Sequence, residues 1–279
     1  LFDATELKQR FGVDVNQFDL QADVFPQIRE ITKEETRPVA DALSQRVEGL
    51  DAMDEDAVHG SLSTYLTLQK LAQDKALSGF AVRCWPEFFT DLGCAACGAM
   101  SMLSDEMIPC SCEADVHGTI TQMILQWLSG EPAFLTDMVS VDQDRDAMVL
   151  WHCGLAPLSM ADPKAEKRVT IHSNRELPLL MEFPLKPGRV TAARLTRASG
   201  ELKLVIGSGT MLRSPKIFSG TSGLLQFDQP TDKVVDTILR KGLEHHIGVT
   251  YGEYTDELRA LAALLDLPTI SLDGSKEVM

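Results

Sequence analysis

Between residues 24 and 76 apolar side chains recur at helical spacing, Leu62, Tyr65, Leu66 and Leu71 among them, which predicts one helix over 24–50 and another over 54–76. The pattern then shortens. Apolar runs of strand length at 78–84, 108–112, 133–139 and 147–153 alternate with helical stretches at 91–107 and 116–128, the second of which Gly130 stops. Strands alternating with helices of this length predict a mostly parallel sheet with crossover helices, an α/β domain. Beyond Pro157, Pro and Gly punctuate segments at 168–172, 179–183, 189–195, 202–206 and 223–227, which predicts an antiparallel, barrel-like β-rich part. A helix over 232–241, a strand over 246–251 and a helix over 255–265 follow. The expected organisation is an α/β domain over 1–156, a β-rich carboxyl-terminal domain over 157–272 and a frayed tail over 273–279.

Composition narrows the function classes. With 44% hydrophobic and 24% charged residues, the 279-residue chain is an ordinary globular protein with length for two cores. Its 26 basic against 41 acidic residues leave a net charge of -15, so a nucleic acid would be held against a repulsive field. Nucleic-acid binding is therefore not expected. No apolar stretch approaches the roughly 20 residues of a membrane-spanning helix, so no membrane association is expected either. The segment from Leu1 onward lacks the basic start, apolar run and cleavage site of a signal peptide. Cys84, Cys94, Cys97, Cys110, Cys112 and Cys153 cluster beside apolar segments, as free buried thiols do, and this predicts a reducing cytoplasm. A four-thiolate zinc site from Cys94-Ala-Ala-Cys97 and Cys110-Ser-Cys112 competes with that reading. The second pair lacks a Gly-containing knuckle and the first sits in an Ala-rich helix, so core filling is preferred.

The candidate chemistry lies where the first two strands end. The run 78–84 leads into Trp85-Pro-Glu87, and the run 108–112 into Glu113-Ala-Asp115. Ligands in open α/β sheets sit beyond the carboxyl ends of strands, so Glu87 and Asp115 are expected at one edge. Close carboxylates do not both stay ionised without a cation or a shared proton, which makes them a divalent-metal site or an acid/base pair. Asp115 by itself also suits a plain helix N-cap. His152 ends one apolar run and His245-His246 opens another, where an imidazole can present a neutral nitrogen to a metal. A Walker phosphate loop, Gly-x-Gly-x-x-Gly, Gly-x-Ser-x-Gly and His-Glu-x-x-His are all missing, so nucleotide chemistry has no support.

Taken in order, Arg83-Cys-Trp-Pro-Glu87, Cys112-Glu-Ala-Asp115, Trp151-His-Cys-Gly154 and Gly242-Leu-Glu-His-His246 resemble the L-fucose isomerase and L-arabinose isomerase superfamily. Lys186-Pro-Gly-Arg-Val-Thr-Ala-Ala-Arg194 resembles that family's carboxyl-terminal barrel, and the likeness runs over residues 19–272. The resemblance implies an L-fucose isomerase-like fold and an aldose-ketose isomerase acting on a monosaccharide through an enediolate stabilised by Mn²⁺, with Co²⁺ or Mg²⁺ as substitutes. It implies Glu87 and Asp115 as the catalytic pair and Glu87, Asp115 and His246 as the metal ligands, with His245 in place of His246 if the register slips by one. His152 matches a metal-binding histidine of the arabinose branch, and Arg83, Trp151, His152 and His245 are the substrate-binding candidates. The family's amino-terminal domain has no counterpart in the sequence, which implies a shortened version. A homo-oligomer, trimer or hexamer, is implied as well. The alternative from another class is a noncatalytic sugar-binding or assembly module of the same fold.

Overall fold

The computed structural model describes residues 2–198 and 200–275. Helices α1 (Ala4–Phe11), α2 (Phe25–Glu30), α3 (Lys33–Ser44) and α4 (Glu55–Lys75) come first. The helix expected over 24–50 is split between α2 and α3 because Thr32 forms a capping box. Its hydroxyl accepts the Glu35 N–H at 3.4 Å, while Glu35 Oε2 accepts the Thr32 N–H at 2.8 Å, satisfying donors that a continuous helix would have used. Strand β1 (Phe80–Ala81), helices α5 (Glu87–Asp91) and α6 (Cys97–Asp105), strand β2 (Cys110–Ser111) and helix α7 (Val116–Ser129) follow. The parallel sheet of this region is small: β1 and β2 pair in parallel over two residues each.

The rest is built on strands β3 (Phe134–Asp142), β4 (Ala147–His152), β5 (Arg168–Thr170), β6 (Leu180–Pro184), β7 (Gly188–Thr196), β8 (Lys203–Leu212) and β9 (Thr221–Phe227). Helix α8 (Thr231–Lys241), strand β10 (His246–Tyr251), helix α9 (Thr255–Leu264) and strand β11 (Thr269–Ser271) complete it. Antiparallel pairs join β7 to β8, β8 to β9, β9 to β4, β4 to β3, β3 to β10 and β10 back to β7, which closes a six-stranded barrel with no free edge. β11 and β6 add to β8 and β9 in parallel, and β5 flanks β6.

The runs at 133–139 and 147–153 are thus corrected from a parallel sheet to the antiparallel barrel. Only residues 143–146 join β3 to β4, and a parallel crossover needs roughly a dozen. Helix α7 lies across β7 and β10, so Ile120, Ile124 and Leu125 pack with Ala193, Leu195 and Leu258 in one core. Strands covered on both faces read as nearly continuous apolar runs, which is why their direction could not be told from periodicity.

Cys84 and Cys112, read as free thiols, form a disulfide with Cα atoms 5.9 Å apart. The parallel pairing of β1 with β2 brings the residues just beyond both strands together, and the reducing-compartment argument loses these two thiols. Cys94, Cys97, Cys110 and Cys153 are free. Asp273 and Ser275 of the expected tail hydrogen-bond each other at 3.0 Å, and residues 276–279 lie outside the described residues. No helix among the described residues is long and apolar enough to cross a membrane.

Candidate functional site

Three neighbouring elements meet at His246. Register in the barrel sets His246, the first residue of β10, opposite Asp137 of β3, and Asp137 in turn opposite Trp151 of β4. The third element is the turn between β2 and α7. There Glu113 and Ala114 both adopt left-handed conformations, φ +59° and +55°, which are costly for residues with a Cβ and cluster at functional sites. The turn carries the Glu113 carboxylate to 3.6 Å from His245 Nε2 and lets Asp115 begin α7.

Asp115 is fully engaged. Oδ1 accepts the Gly118 N–H at 2.8 Å, which is the helix N-cap, and Arg194 Nη2 at 3.1 Å. Oδ2 accepts Arg194 Nη1 at 2.5 Å and the His246 Nδ1–H at 2.9 Å. Burial would raise this carboxyl, but the His246 hydrogen bond and the Arg194 charge hold it well below the usual carboxylate range. Both Asp115 oxygens are thus hydrogen-bonded.

His246 is the reverse case. A ring that donates Nδ1–H to Asp115 carries a lone pair on Nε2, and Nε2 lies 3.2 Å from Asp137 Oδ1. Neither atom has a hydrogen-bond partner and both are buried. Two lone pairs facing at that distance repel unless a proton or a cation sits between them. Burial alone would depress the His246 pKa, but the carboxylates on either side push it up to about 9, so without a cation the proton fills the gap. Asp137 responds in kind: burial would raise its carboxyl, and the protonated His246 ring facing it at 3.2 Å holds it low.

His152 is wired differently. Its Nδ1 accepts the Cys153 backbone N–H at 2.9 Å, so the neutral ring carries its proton on Nε2. Two groups of potential ligands converge among the described residues, Glu113 with His245 and His246, and Asp137 with His152 and His246, the atoms of each lying within 4.8 Å of one another. No cysteine belongs to either, and Cys112 is in the disulfide. A cavity of about 620 Å³ opens beside them, walled by Glu113, Asp115, Arg194, Arg197, His245 and His246.

Of the residues singled out from the sequence, Asp115 and His246 touch. Glu87 joins neither converging group and is instead clasped by Arg83, Nη2 to Oε1 at 2.8 Å and Nε to Oε2 at 3.2 Å. Trp151 stacks on His152 with centroids 6.4 Å apart and donates its Nε1–H to Ser219 O at 2.6 Å. His245 is exposed beside Glu113 and 3.8 Å from Asp137 Oδ1. Glu113 and Asp137 went unassigned in the sequence reading. The first stood inside the Cys-Glu-Ala-Asp motif, and the second, an acid inside an apolar strand run, was a signal that could have been followed.

The carboxyl-terminal part that carries His246 matches a described family: residues 180–272 match the L-fucose isomerase C-terminal domain. Those residues form an L-fucose isomerase C-terminal domain. Sulfoquinovose isomerase of Alkalicoccus urumqiensis is 33% identical over 273 residues, which is 98% of this chain and 61% of that protein. Sulfoquinovose isomerase of Priestia aryabhattai is 33% identical over 266 residues, 95% of this chain and 59% of the relative. That of Clostridium sp. (strain MSTE9) is 32% identical over 265 residues, 94% and 59%. The chain therefore spans about three fifths of the length of these curated relatives. The resemblance read from the four motifs holds.

Proposed function

We propose that this chain carries the cation-binding and proton-transfer centre of an aldose-ketose isomerase whose substrate is a sulfonated hexose such as sulfoquinovose. The observation that carries the reading is the buried opposition of His246 Nε2 and Asp137 Oδ1 at 3.2 Å, where two groups of potential ligands, Asp137 with His152 and Glu113 with His245, share His246. Two carboxylates and an imidazole form a mixed oxygen and nitrogen donor set, which suits Mn²⁺, with Co²⁺ or Mg²⁺ as substitutes. A divalent cation held by His246 and Asp137, with Glu113 or His152 as a further donor, would supply the charge that polarises a sugar carbonyl and offsets negative charge developing on the oxygens of carbons 1 and 2.

The chain's own side chains do the rest. Glu113, with its carboxylate half exposed in the cavity wall, is placed to take the proton from carbon 2 of the aldose and return it to carbon 1, while the hydroxyl proton on the oxygen of carbon 2 passes to the oxygen of carbon 1. That shuttle leaves no net proton and needs no redox partner; a positioned base of this kind contributes about 10²–10⁴ in rate. His152, which as a neutral ring is protonated on Nε2, donates a hydrogen bond to Asp137 or to a sugar hydroxyl, or gives up that proton to join the ion's ligands. Trp151, stacked on His152, borders the sugar, and His245 stands at the cavity mouth. Glu87 and Arg83, paired with each other, are assigned to the wall. Assembly as a trimer or hexamer rests on the family resemblance and is read by light scattering.

The test is Mn²⁺ titration of the full chain followed by proton NMR in D₂O with sulfoquinovose. Stoichiometric uptake of Mn²⁺, cation-dependent deuterium entry at a sugar carbon, and loss of uptake in Asp137→Asn support the reading. Uptake that persists in both Asp137→Asn and His246→Ala overturns it.

A further inference from the structure

The cavity beside His246 has two arginines in its wall, Arg194 and Arg197, together with Glu113, Asp115 and Glu244. Arg194 is buried and bonded to Asp115 through both terminal nitrogens, at 2.5 and 3.1 Å. Arg197 is 33% exposed and less committed. We infer that Arg197 receives the sulfonate of the substrate and so sets the preference for a sulfonated hexose over a neutral one. This inference deepens the sulfonated-hexose reading above and rests on it.

The register of the barrel puts Arg197 at the right end of the molecule. Antiparallel pairing of β7 with β10 sets Ala193 opposite Gly248, so the chain that leaves β7 at Thr196 runs beside the segment that enters β10 at His246. Glu244 ties the two together: its Oε2 accepts the Thr196 Oγ1–H at 2.6 Å and its Oε1 accepts the Arg197 backbone N–H at 3.4 Å. The guanidinium itself is oriented from two sides, with Nη1 2.7 Å from Glu6 Oε2 of α1 and Nε donating to Gly200 O at 3.3 Å. Both hydrogens of Nη2 are left without a partner among the described residues. A sulfonate is the complement of such a group. It is ionised wherever the protein is folded, it only accepts hydrogen bonds, and its oxygens suit the planar fork of arginine as those of carboxylate and phosphate do. A hydroxyl on carbon 6 makes no such charge-assisted pair. The acids in the wall sharpen the requirement, because Glu113, Asp115 and Glu244 repel an anion that is not set against a fixed positive group. With carbons 1 and 2 engaged at His246, the sulfonate on carbon 6, at the other end of the sugar, is left to Arg197.

Glu6 separates recognition from architecture. If Arg197 only ties the end of β7 to α1, cutting the pair from either side has the same result. If it receives the sulfonate, Arg197→Met removes the receiver whereas Glu6→Gln releases it from a competing carboxylate. The experiment is calorimetric titration of the full chain, with Mn²⁺ present, using sulfoquinovose and, as its neutral counterpart, D-glucose. We expect sulfoquinovose affinity about 10–100-fold lower in Arg197→Met, the range of a hydrogen bond to a charged group, with its lead over D-glucose narrowed to match. Arg197→Lys, which keeps the charge without the fork, should lose less, and Glu6→Gln should bind sulfoquinovose as tightly as the parent or more tightly. Should Arg197→Met fail to fold, Arg197→Lys against Glu6→Gln gives the same contrast. Parental sulfoquinovose affinity in Arg197→Met, or equal losses in the Arg197 and Glu6 variants, overturns the inference while the substrate reading stands. A parent that binds neither sugar, or prefers D-glucose, overturns the substrate reading and the inference with it.

Discussion

Replacing Gly118 with alanine sets two magnitudes against each other. Gly118 lies in the first turn of α7, where alanine gains about 1 kcal/mol of helix propensity over glycine. The added Cβ, however, would sit 2.6 Å from Leu135 Cδ2 and 2.7 Å from Asp115 Oδ2. Leu135 is fully buried and Asp115 is pinned by Arg194, so neither yields freely, and overpacking of this kind costs about 1–3 kcal/mol. The two terms together leave the variant destabilised by about 0–2 kcal/mol. The larger consequence is local, because any displacement of Asp115 draws it off His246 Nδ1 at 2.9 Å. Mn²⁺ affinity should fall by about 10–100-fold. Urea unfolding with an unchanged slope measures the first quantity, and Mn²⁺ titration of the same preparation measures the second. A variant about 1 kcal/mol more stable than the parent, with unaltered Mn²⁺ affinity, would refute both the packing of the α7 first turn and the role of Asp115.

Cutting the Cys84–Cys112 bond with Cys84→Ser releases a closure of 28 residues, which chain-entropy arithmetic sets at about 3.6 kcal/mol. The parent's urea midpoint should respond to reductant and the variant's should not. Mn²⁺ uptake displaces the proton that the carboxylates hold on His246, whose pKa is pushed up to about 9, so titration in unbuffered solution should release protons and affinity should weaken as pH falls below that value. Acid should also unfold the chain through Asp105. Burial would raise its carboxyl, but hydrogen bonds from Arg46 and Ser159 lower it beneath its unfolded value. Its contribution is present above the unfolded pKa of about 3.9 and is lost as pH falls through the folded one, which urea midpoints between neutral pH and about pH 2 would record.

Much of this protein is legible along the chain. The Pro- and Gly-punctuated runs after residue 157 are barrel strands, and α7 begins at Asp115 and stops at Gly130 because an N-cap acceptor and a left-handed C-cap glycine are local requirements. His246 opens a strand as its apolar neighbours predict. The four motifs were close enough to a known pattern to identify the superfamily. What a linear reading could not supply is direction and aim. An apolar run is equally good as a parallel or an antiparallel strand, so β3 and β4 were assigned to the wrong sheet until their partners β9 and β10 were known. Glu113 and Asp115 are two residues apart with the same charge. Only the left-handed turn and the reach of Arg194 from another strand give them different surroundings, Glu113 beside His245 and Asp115 hydrogen-bonded to Arg194 and His246. Asp137 joins them through register across β3 and β10. Periodicity records which side chains are buried, because burial follows from local spacing on a helix or strand; which buried groups face each other depends on how distant strands pair, and that is settled only when the barrel closes.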